Sequence, residues 1–473
     1  MGARPAIFRT GQKNAESMSM KIEFDAPVIA DVDVLVCGGG PAGIGAAMAA
    51  ARQGAATMLV EMQGSLGGVG ANTLIGTWLG SYSRDGAVPV IGGVFTEMLK
   101  RLAAEGAAIL PEDAPVEGGR HIQYASWHKR VIPIEFEPFK RISEQMCIEA
   151  GVRLRYWTCI VAPKMAGRRA EGVFVHSKNG IEFIAAKTIV DATCDADVAF
   201  RAGCPVVEGR PEDGLTSQLT TILVLEDVDY AALESYCTST GDIRLRKIIA
   251  AIKQREPWPF SFEIIISCEL VRRGRFFINT LCQTGWNGAD ADDLTQASVE
   301  GRGQAALLMD YLRRYVPGFA NARLTQTSAR IGVRDTRRIV GDACVTVGDI
   351  KAGQRYEDAI ALSGYQWDMA DPKRPSHQRM EGQTMALQFT EIPYRSLLPQ
   401  GVDNLLVAGR SVSAEWDALG VLRIMPACMA MGQAAGTAAA MAARDHLTTR
   451  EVRVEALRTN LLKQGAILAP LGK

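Results

Sequence analysis

A glycine-rich segment near the start of the chain has the spacing of a phosphate-binding loop. Residues 38–43 follow a short apolar run and read G-x-G-x-x-G. In this pattern Gly38 permits a tight turn, Gly40 lets the backbone approach phosphate groups, and Gly43 lets the next helix pack closely. The N–H groups and positive dipole end of that helix favour a phosphate. Glu61 follows the next apolar run, where its carboxylate can accept hydrogen bonds from a ribose, so the segment predicts a dinucleotide site with NAD and FAD both open.

Such a loop works only between a strand and a helix, and the surrounding sequence predicts both. A βαβ unit is expected from about residue 32 to residue 60. Apolar periodicity and turn residues predict helices over 94–105, 139–150 and 294–315, and strands over 152–162, 169–177 and 181–191. Further apolar runs at 219–225 and 261–268 lie in a region that could form a second sheet capped by helices. The turn at 178–180 predicts a hairpin. Near the far end, a strand over 404–410 precedes an Ala-rich helix over 421–443, whose small residues at 432–436 favour close packing against the sheet rather than a membrane span.

Composition narrows the class of protein. The chain has 473 residues and a formal net charge of zero, which favours two or three domains and no obligatory nucleic-acid or membrane partner. Its ten cysteines include no C-x-x-C pair, which argues against a zinc ribbon and a redox-active dithiol, and no metal-binding residues are predicted. Scattered free thiols and the lack of an apolar N-terminal core predict a cytoplasmic protein.

Several separated blocks together resemble the FAD-dependent oxidoreductase family of glutathione-reductase-like flavoproteins. The blocks are residues 38–43 with Glu61, 66–68, 189–197, 332–341, 392–399, and 404–410 with Arg423 and 432–436. The resemblance runs from Val32 to about Gly465. It implies an α/β fold with a Rossmann-like FAD-binding domain of the glutathione-reductase type and an inserted α+β substrate domain. It also implies FAD rather than NAD, bound without a covalent link.

The resemblance implies a domain division and a set of cofactor-binding residues. The FAD-binding domain would comprise 28–80, 130–213, 325–345 and 391–446, the substrate or cap domain 81–129, 214–324 and 346–390, with a flexible N-terminus at 1–27 and a helical tail at 447–473. The residues expected to bind FAD are Gly38, Gly40, Pro41, Ala42, Gly43, Glu61, Gly67, Gly68, Val161, Ala192, Thr193, Asp197, Arg334, Gly409, Arg410, Leu422 and Arg423. A helix starting near Leu422 would point its N-terminus at the flavin.

The chain departs from the family pattern at several places. Cys194 stands where glycine is usual, and Gly409-Arg410 replaces a frequent Gly-Asp. Positions where relatives often carry histidine are Trp416, Leu419 and Ala370 here, so a histidine proton relay is not carried over from the family.

The candidate catalytic residues follow the later blocks. They are Arg423, Glu415, Trp416, Tyr394 and Arg395. Arg423 and Arg395 could anchor anions, Tyr394 could relay a proton, and Glu415 beside Trp416 could be a base with a raised pKa. Each has a structural alternative: a helix-end ion pair for Arg423, interdomain packing for the Tyr394-Arg395 pair, and an ordinary polar loop for Glu415 and Trp416.

Three further positions carry weaker predictions. Arg334, Arg337 and Arg338 form a cluster that could bind an anion, either a substrate carboxylate or an FAD phosphate. The alternative is a salt-bridged network. On a helix, Arg334 and Arg338 would share one face. Trp367-Asp368 resembles Glu415-Trp416 in composition but is less well placed. Trp127-His128 lies in a loop, where the histidine is expected at the surface.

The sequence therefore predicts an FAD-dependent dehydrogenase or oxidase. A hydride would pass between flavin N5 and a small organic molecule, which the arginines make polar or anionic. The alternatives are a flavin monooxygenase or reductase that uses external NAD(P)H, and an FAD-binding electron-transfer protein. The electron acceptor is not defined, and a homo-oligomer is compatible with the sequence.

Overall fold

A computed structural model describes residues 23–113, 123 and 128–469. Its central sheet has the order β5-β2-β1-β8-β7-β6, with β19 paired to β8. The strands are β1 Val28–Cys37, β2 Thr57–Val60, β5 Arg153–Arg155, β6 Cys159–Ala166, β7 Arg169–Ser177, β8 Gly180–Asp191 and β19 Leu405–Val407. Strands β1, β2, β5, β8 and β19 run parallel, while β7 pairs antiparallel with both β8 and β6. The carboxyl ends of β1, β2 and β8 therefore lie at one edge of the sheet.

Two helices of small residues pack together against this sheet. Helix α1, Pro41–Arg52, begins with a proline, which is preorganised for the first helical turn, and is alanine-rich. Helix α10, Met425–Asp445, crosses it closely. A Cβ added to Gly432 would lie 1.9 Å from the Ala42 carbonyl oxygen, and one on Gly436 would lie 1.9 Å from that of Ala46. The predicted close packing of these glycines is therefore confirmed, but the surface they approach is α1.

A second, antiparallel sheet has the order β11-β12-β10-β13. Its strands are β10 Leu219–Glu226, β11 Ser267–Glu269, β12 Phe276–Gln283 and β13 Arg323–Thr327. Helix α7, Ala291–Tyr315, covers one face, where Leu308 and Leu312 join Leu223 and Ile278 in a buried cluster. The other face carries Thr220 towards the central sheet's edge.

The remaining elements connect or flank these two sheets. The helices are α2 Val94–Ala104, α3 Phe136–Glu149, α4 Asp197–Arg201, α5 Tyr230–Thr240, α6 Arg246–Lys253, α8 Val347–Ala352, α9 Trp416–Leu422 and α11 Val454–Lys463. The small strands are β3 Thr77–Trp78, β4 Ile132–Pro133, β9 Val206–Glu208, β14 Arg337–Ile339, β15 Ala359–Ser363, β16 Ala370–Asp371, β17 Arg374–Gln378 and β18 Thr390–Pro393.

Local predictions succeeded where the sequence signal was strong. The βαβ unit, the hairpin with Ser177 opposite Gly180, and the long helix α7 are all present. The second sheet predicted for the region of the apolar runs 219–225 and 261–268 is present, but of the run 261–268 only the end contributes to it, because only Ser267–Glu269 pairs with β12. The helix predicted over 421–443 is two helices, α9 and α10, because residues 423–424 break it. Among the described helices none alone could cross a membrane by length and composition; α9 and α10 meet that test only together, and they are bent by 89°.

Packing within the chain differs from the predicted domain ranges at two elements. Helix α2 and strand β15 fall in ranges expected for the cap, yet Met98 of α2 and Leu362 of β15 belong to the same buried cluster as α1 and α10. Helix α11 contributes Leu457 to that cluster as well. Residues 1–22 of the expected flexible N-terminus, and Trp127, lie outside the described residues.

Candidate active site

A cavity of about 440 Å³ lies between the carboxyl edge of the central sheet and the second sheet. Gly38 follows β1, Glu61 follows β2 and Ala192 follows β8, and all three line it. Thr220 and Asn279 of the second sheet line it from the opposite side. Ligands of open α/β sheets bind at this edge, outside the carboxyl ends of the strands.

The glycine loop has the geometry that its spacing predicted. Gly38 has a φ of 107°, which favours glycine, and a Cβ on Gly43 would lie 1.8 Å from the Gly38 carbonyl oxygen. Gly40 caps α1 and faces Gly68, whose own Cβ would come within 2.8 Å of the Gly40 Cα. The helix N-terminus and two bare backbones thus border the cavity together.

Glu61 braces this loop directly. One carboxylate oxygen accepts a hydrogen bond from Gly39 N at 2.6 Å, and the other accepts one from Gln63 N at 2.8 Å. The side chain lines the cavity. A carboxylate can accept further hydrogen bonds, so the ribose contact stays a prediction alongside the observed bracing role.

The segment after β8 is held by Asp191. Its carboxylate accepts hydrogen bonds from the Thr193 hydroxyl at 2.6 Å and from the N–H groups of Val198 and Ala199, at the start of α4. Cys194 has a φ of 69°, which explains why glycine would be at home there. Burial raises the pKa of its thiol.

Arg410 ties the last strand to this segment. Its guanidinium pairs with Asp195, which also accepts a hydrogen bond from the Thr336 hydroxyl at 2.7 Å. Arg330 lies 3.7 Å from the same carboxylate. Arg410 is therefore part of an ion-pair network on the cavity wall, and its predicted contact with FAD stays a prediction.

Helix α10 presents its N-terminus to the cavity, where Ile424 and Met425 form part of the lining. The positive end of a 21-residue helix favours negative charge nearby. The predicted start near Leu422 is wrong, because Leu422 ends α9 and is buried away from the lining.

A polar cluster faces the cavity opposite the glycine loop, with Asp368 at its centre. Its carboxylate accepts hydrogen bonds from the Tyr365 hydroxyl at 3.1 Å, from Gln378 Nε2 at 3.1 Å and from Arg423 at 3.4 Å. Burial raises the pKa of Asp368, but nearby Arg423, Arg334 and His128 outweigh that effect and bring it below its ordinary value. Asp368 is therefore an ionised acceptor that already receives three hydrogen bonds.

His128 completes this cluster. Its ring stacks on that of Tyr365, with centroids 4.7 Å apart and planes within 10°, and only 8% of the residue is exposed. Burial lowers its pKa to about 4; Asp368 opposes that shift and Arg244 adds to it. The imidazole is therefore neutral at physiological pH. The expected surface position of His128 is wrong, because folding places it against Tyr365.

Buried His128 predicts a loss of stability in mild acid. An unfolded histidine binds a proton near pH 6.5, whereas this imidazole does so only near pH 4, so the stability it contributes above pH 6.5 is lost as the pH falls from 6.5 towards 4. Between pH 7 and pH 5 we expect a cost of about 2 kcal/mol. Urea unfolding of the FAD-saturated protein at both pH values measures it.

His128→Phe keeps a ring against Tyr365 and cannot titrate, so the pH-dependent loss should shrink by that amount. The exposed His377 provides the matched control, because His377→Gln should leave the loss unchanged. Equal losses in wild type and His128→Phe would contradict the buried, neutral imidazole.

The structure brings together most of the residues predicted to bind the cofactor. Those that line the cavity are Gly38, Gly40, Pro41, Ala42, Glu61, Gly68, Ala192, Thr193, Asp197, Arg334, Arg410 and Arg423. Those outside the lining are Gly43, Gly67, Val161, Gly409 and Leu422. Gly43 supports the loop from behind. Val161 points outward from β6, with 40% exposure, whereas its neighbour Ile160 lines the cavity.

Of the five predicted catalytic residues, only Arg423 lines the cavity. Glu415 is exposed and accepts a hydrogen bond from Val347 N at 2.7 Å. Trp416 is buried and donates to Asp335 at 2.8 Å. These contacts give both residues structural roles, because they lie at the start of α9 rather than at its cavity end.

Tyr394 and Arg395 also lie outside the cavity lining. The Tyr394 hydroxyl donates to the Thr449 carbonyl at 2.7 Å, and Arg395 pairs with Asp358 at 3.0 Å. Tyr394 and Arg395 therefore fit the alternative of a packing role, because each contact joins two separate segments of the chain.

The arginine cluster is split by a strand. Residues 337–339 form β14, so the predicted shared helix face of Arg334 and Arg338 is wrong. Arg338 is buried and donates to the Gly209 and Ala414 carbonyls, and Arg337 pairs with Asp197. Arg334 alone of the three lines the cavity.

The residues that sequence reasoning placed poorly are His128, Tyr365 and Asp368. They lie in loops without periodicity, and the ring stacking and hydrogen bonds that unite them join distant parts of the chain. The only sequence signal was the Trp367-Asp368 pair, whose tryptophan instead donates to the Gln383 carbonyl.

These features fit a dinucleotide with two phosphates. Side chains are absent where Gly40 and Gly68 face each other, and two helix N-termini border the cavity. Buried lining atoms without a hydrogen-bond partner among the described residues include Thr73 Oγ1 and Thr77 Oγ1. The fold is mixed α/β, with a largely parallel central sheet.

The fold and site thus define a dinucleotide-binding α/β enzyme. The family model for FAD dependent oxidoreductases matches residues 33–461, so the chain belongs to that family and uses FAD as its cofactor. A search of curated protein sequences found no match.

Several solved structures resemble the chain at low sequence identity. A geranylgeranyl bacteriochlorophyll reductase-like protein from Thermoplasma acidophilum is 12% identical, over 92% of this chain and 82% of that chain, with a TM-score of 0.40. A p-nitrophenol 4-monooxygenase from Pseudomonas putida DLL-E4 is 12% identical, over 92% and 86%, with a TM-score of 0.44. A flavin-dependent brominase is 13% identical, over 91% and 83%, with a TM-score of 0.46.

Proposed function

We propose that the protein is an FAD-dependent dehydrogenase or oxidase that acts on a small, polar or anionic organic molecule. The observation that carries the proposal is that the glycine loop and the cluster of His128, Tyr365 and Asp368 line one continuous cavity. When bound, FAD supplies the atom, N5, that exchanges a hydride with the substrate. The chain itself supplies binding, orientation and proton transfer.

The residues that would hold FAD are on the central-sheet side of the cavity. The loop around Gly40 and the N-terminus of α1 suit the phosphates, and Glu61 suits a ribose. Thr193 and Arg410 are the polar groups at the end of β8 and after β19. We propose that this is a non-covalent site in a domain of the glutathione-reductase type, with the second sheet as a cap.

Removal of a hydride from a C–H bond beside a hydroxyl or amine also releases a proton, and we assign its acceptor to His128. Asp368 already accepts hydrogen bonds from Tyr365, Gln378 and Arg423. His128 is neutral, buried and held in place by the Tyr365 ring, which suits a base that works from a fixed position. Asp368 then stabilises the positive charge that the imidazole acquires.

The test begins with purified protein, which should be yellow and release free FAD on denaturation. Anaerobic mixing with small hydroxy acids, amino acids and neutral alcohols should bleach the flavin absorbance for at least one compound. Subsequent admission of oxygen, compared with a quinone or dye acceptor, then separates an oxidase from a dehydrogenase.

Two results would overturn the proposal. A colourless protein that takes up no added FAD would remove its basis. A yellow protein that is bleached by NAD(P)H alone would assign it to the monooxygenase or reductase class instead. We also propose that the protein is cytoplasmic. Measurement of the molecular mass of the FAD-loaded protein in solution would show whether it forms a homo-oligomer.

A further inference from the structure

Arg334 is the starting point, because its environment differs from that of four other arginines on the cavity wall. Arg201, Arg330, Arg410 and Arg423 each lie within ion-pair distance of an aspartate. Arg334 instead donates to the Gln218 carbonyl at 3.0 Å, the Thr220 hydroxyl and Asn279 Oδ1 at 3.5 Å. Within the described ranges no carboxylate comes into ion-pair distance of it. A half-buried cation held only by neutral acceptors favours an anion from outside the chain.

The position of Arg334 separates this anion from the phosphate loop. The residue comes from the loop before β14, but its guanidinium rests on the second sheet, against β10 and β12. The glycine loop and Asp195 lie on the central-sheet side. A ligand that meets Arg334 therefore also meets the cap, where a substrate would be selected.

An apolar wall adjoins this cation. Thr220 pairs with Cys282 across the two strands, and Cys282 packs in one cluster with Phe262 and Ile264, joined by Ile266. Phe262, Ile264 and Ile266 all line the cavity. A charged anchor beside an aromatic and aliphatic wall matches a molecule that is anionic at one end and apolar along its body.

We infer that Arg334 anchors the carboxylate of an organic acid whose apolar body lies on the wall of Phe262, Ile264 and Ile266. This assignment rests on the proposed function and adds the substrate class to it. The guanidinium offers a planar pair of donors, which a carboxylate can accept through both oxygens. The wall provides affinity that grows with the length of the apolar body.

Binding of unreactive probes tests the assignment without turnover. The FAD-loaded, oxidised protein is titrated with straight-chain monocarboxylates from acetate to octanoate and with the primary alcohols of equal length, and the dissociation constant is followed by the shift in flavin absorbance and by calorimetry. The acids should bind at least tenfold more tightly than the alcohols. Each added CH₂ should tighten binding by about fourfold until the wall is covered.

Three variants separate anchor from wall. Arg334→Gln should weaken the binding of the acids by about 10- to 100-fold and leave the dissociation constants of the alcohols unchanged. Phe262→Ala should flatten the dependence on chain length while acetate still binds. Arg302→Gln, at an exposed arginine of α7, is the matched control. It should change neither the affinity for the acids nor its dependence on chain length. FAD content and melting temperature verify folding, and Arg334→Lys, which keeps the charge without the planar pair, should give an intermediate effect.

The outcomes distinguish this inference from the function beneath it. A yellow protein that an organic substrate reduces, but that binds acids and alcohols equally or is unaffected by Arg334→Gln, overturns the anchor alone. Loss of FAD from both Arg334→Gln and Arg334→Lys, with the fold retained, overturns it too, because Arg334 would then belong to the cofactor site. A protein that no organic compound reduces counts against the proposed function instead.

Discussion

Replacing Gly40 by valine is expected to lower the affinity for FAD by about 10²- to 10⁴-fold without unfolding the protein. Gly40 has φ −73° and ψ −176°, a conformation open to any residue, and the nearest atom to an added Cβ is the Gly68 Cα at 3.9 Å. The new side chain would fit the fold but fill the space where the two backbones border the cavity. Each charged hydrogen bond lost there costs about 1.5–3 kcal/mol, and at least two are expected.

Two other glycines provide the comparison. Gly303→Val, at an exposed position of α7 where nothing lies within 4 Å of an added Cβ, should keep FAD and stability. Gly43→Ala should instead fail to fold stably, because its Cβ would lie 1.8 Å from the Gly38 carbonyl oxygen. FAD stoichiometry after purification, quenching of FAD fluorescence and circular dichroism distinguish the three. Unchanged FAD affinity in Gly40→Val would place the pyrophosphate elsewhere.

Replacing His128 by glutamine is expected to slow reduction of the flavin by substrate by about 10²- to 10⁴-fold, with FAD still bound. Glutamine is polar and of similar length, but it cannot accept a proton. Because burial lowers the pKa of His128 to about 4, the wild-type rate should not change with this imidazole between pH 5.5 and pH 8 and should fall as the pH approaches 4. Anaerobic stopped-flow absorbance measures both effects.

His377→Gln is the matched control, since His377 is exposed and does not line the cavity. It should keep both the wild-type rate and the wild-type pH profile. A purely structural role for His128 would lower stability without removing the acidic limb of the profile. Retention of that limb in His128→Gln would assign the proton to another group.

The sequence alone predicted the cofactor loop accurately, for a physical reason. Gly38, Gly43 and Glu61 act within one βαβ unit, where spacing along the chain determines spacing in space. The left-handed φ of Gly38 and the close contact at Gly43 are backbone requirements that only glycine meets. Glu61 adds a contact that the motif did not suggest, because its bond to Gly39 N depends on the turn after β2.

The candidate catalytic residues near the chain's end were predicted less well. Glu415 and Trp416 follow the right strand, but α9 carries them away from the cavity and leaves Arg423, at its other end, inside it. Tyr394 and Arg395 sit in a conspicuous motif whose contacts, with Thr449 and Asp358, hold segments together. A sequence motif marks residues that have a role, whereas their burial and contact partners show whether that role is structural or catalytic.

The sequence by itself determined the parallel βαβ unit and a loop that suits a dinucleotide, since these depend on local backbone geometry and short spacing, whereas FAD rather than NAD followed from the resemblance of blocks spread along the whole chain. Only the tertiary structure decided what faces that loop. It brought His128 against Tyr365, gave Asp368 three hydrogen-bond donors and placed Arg334 on the second sheet, in a cavity that Phe262 also lines. These neighbours come from distant loops and strands, whose meeting is determined by how the two sheets pack.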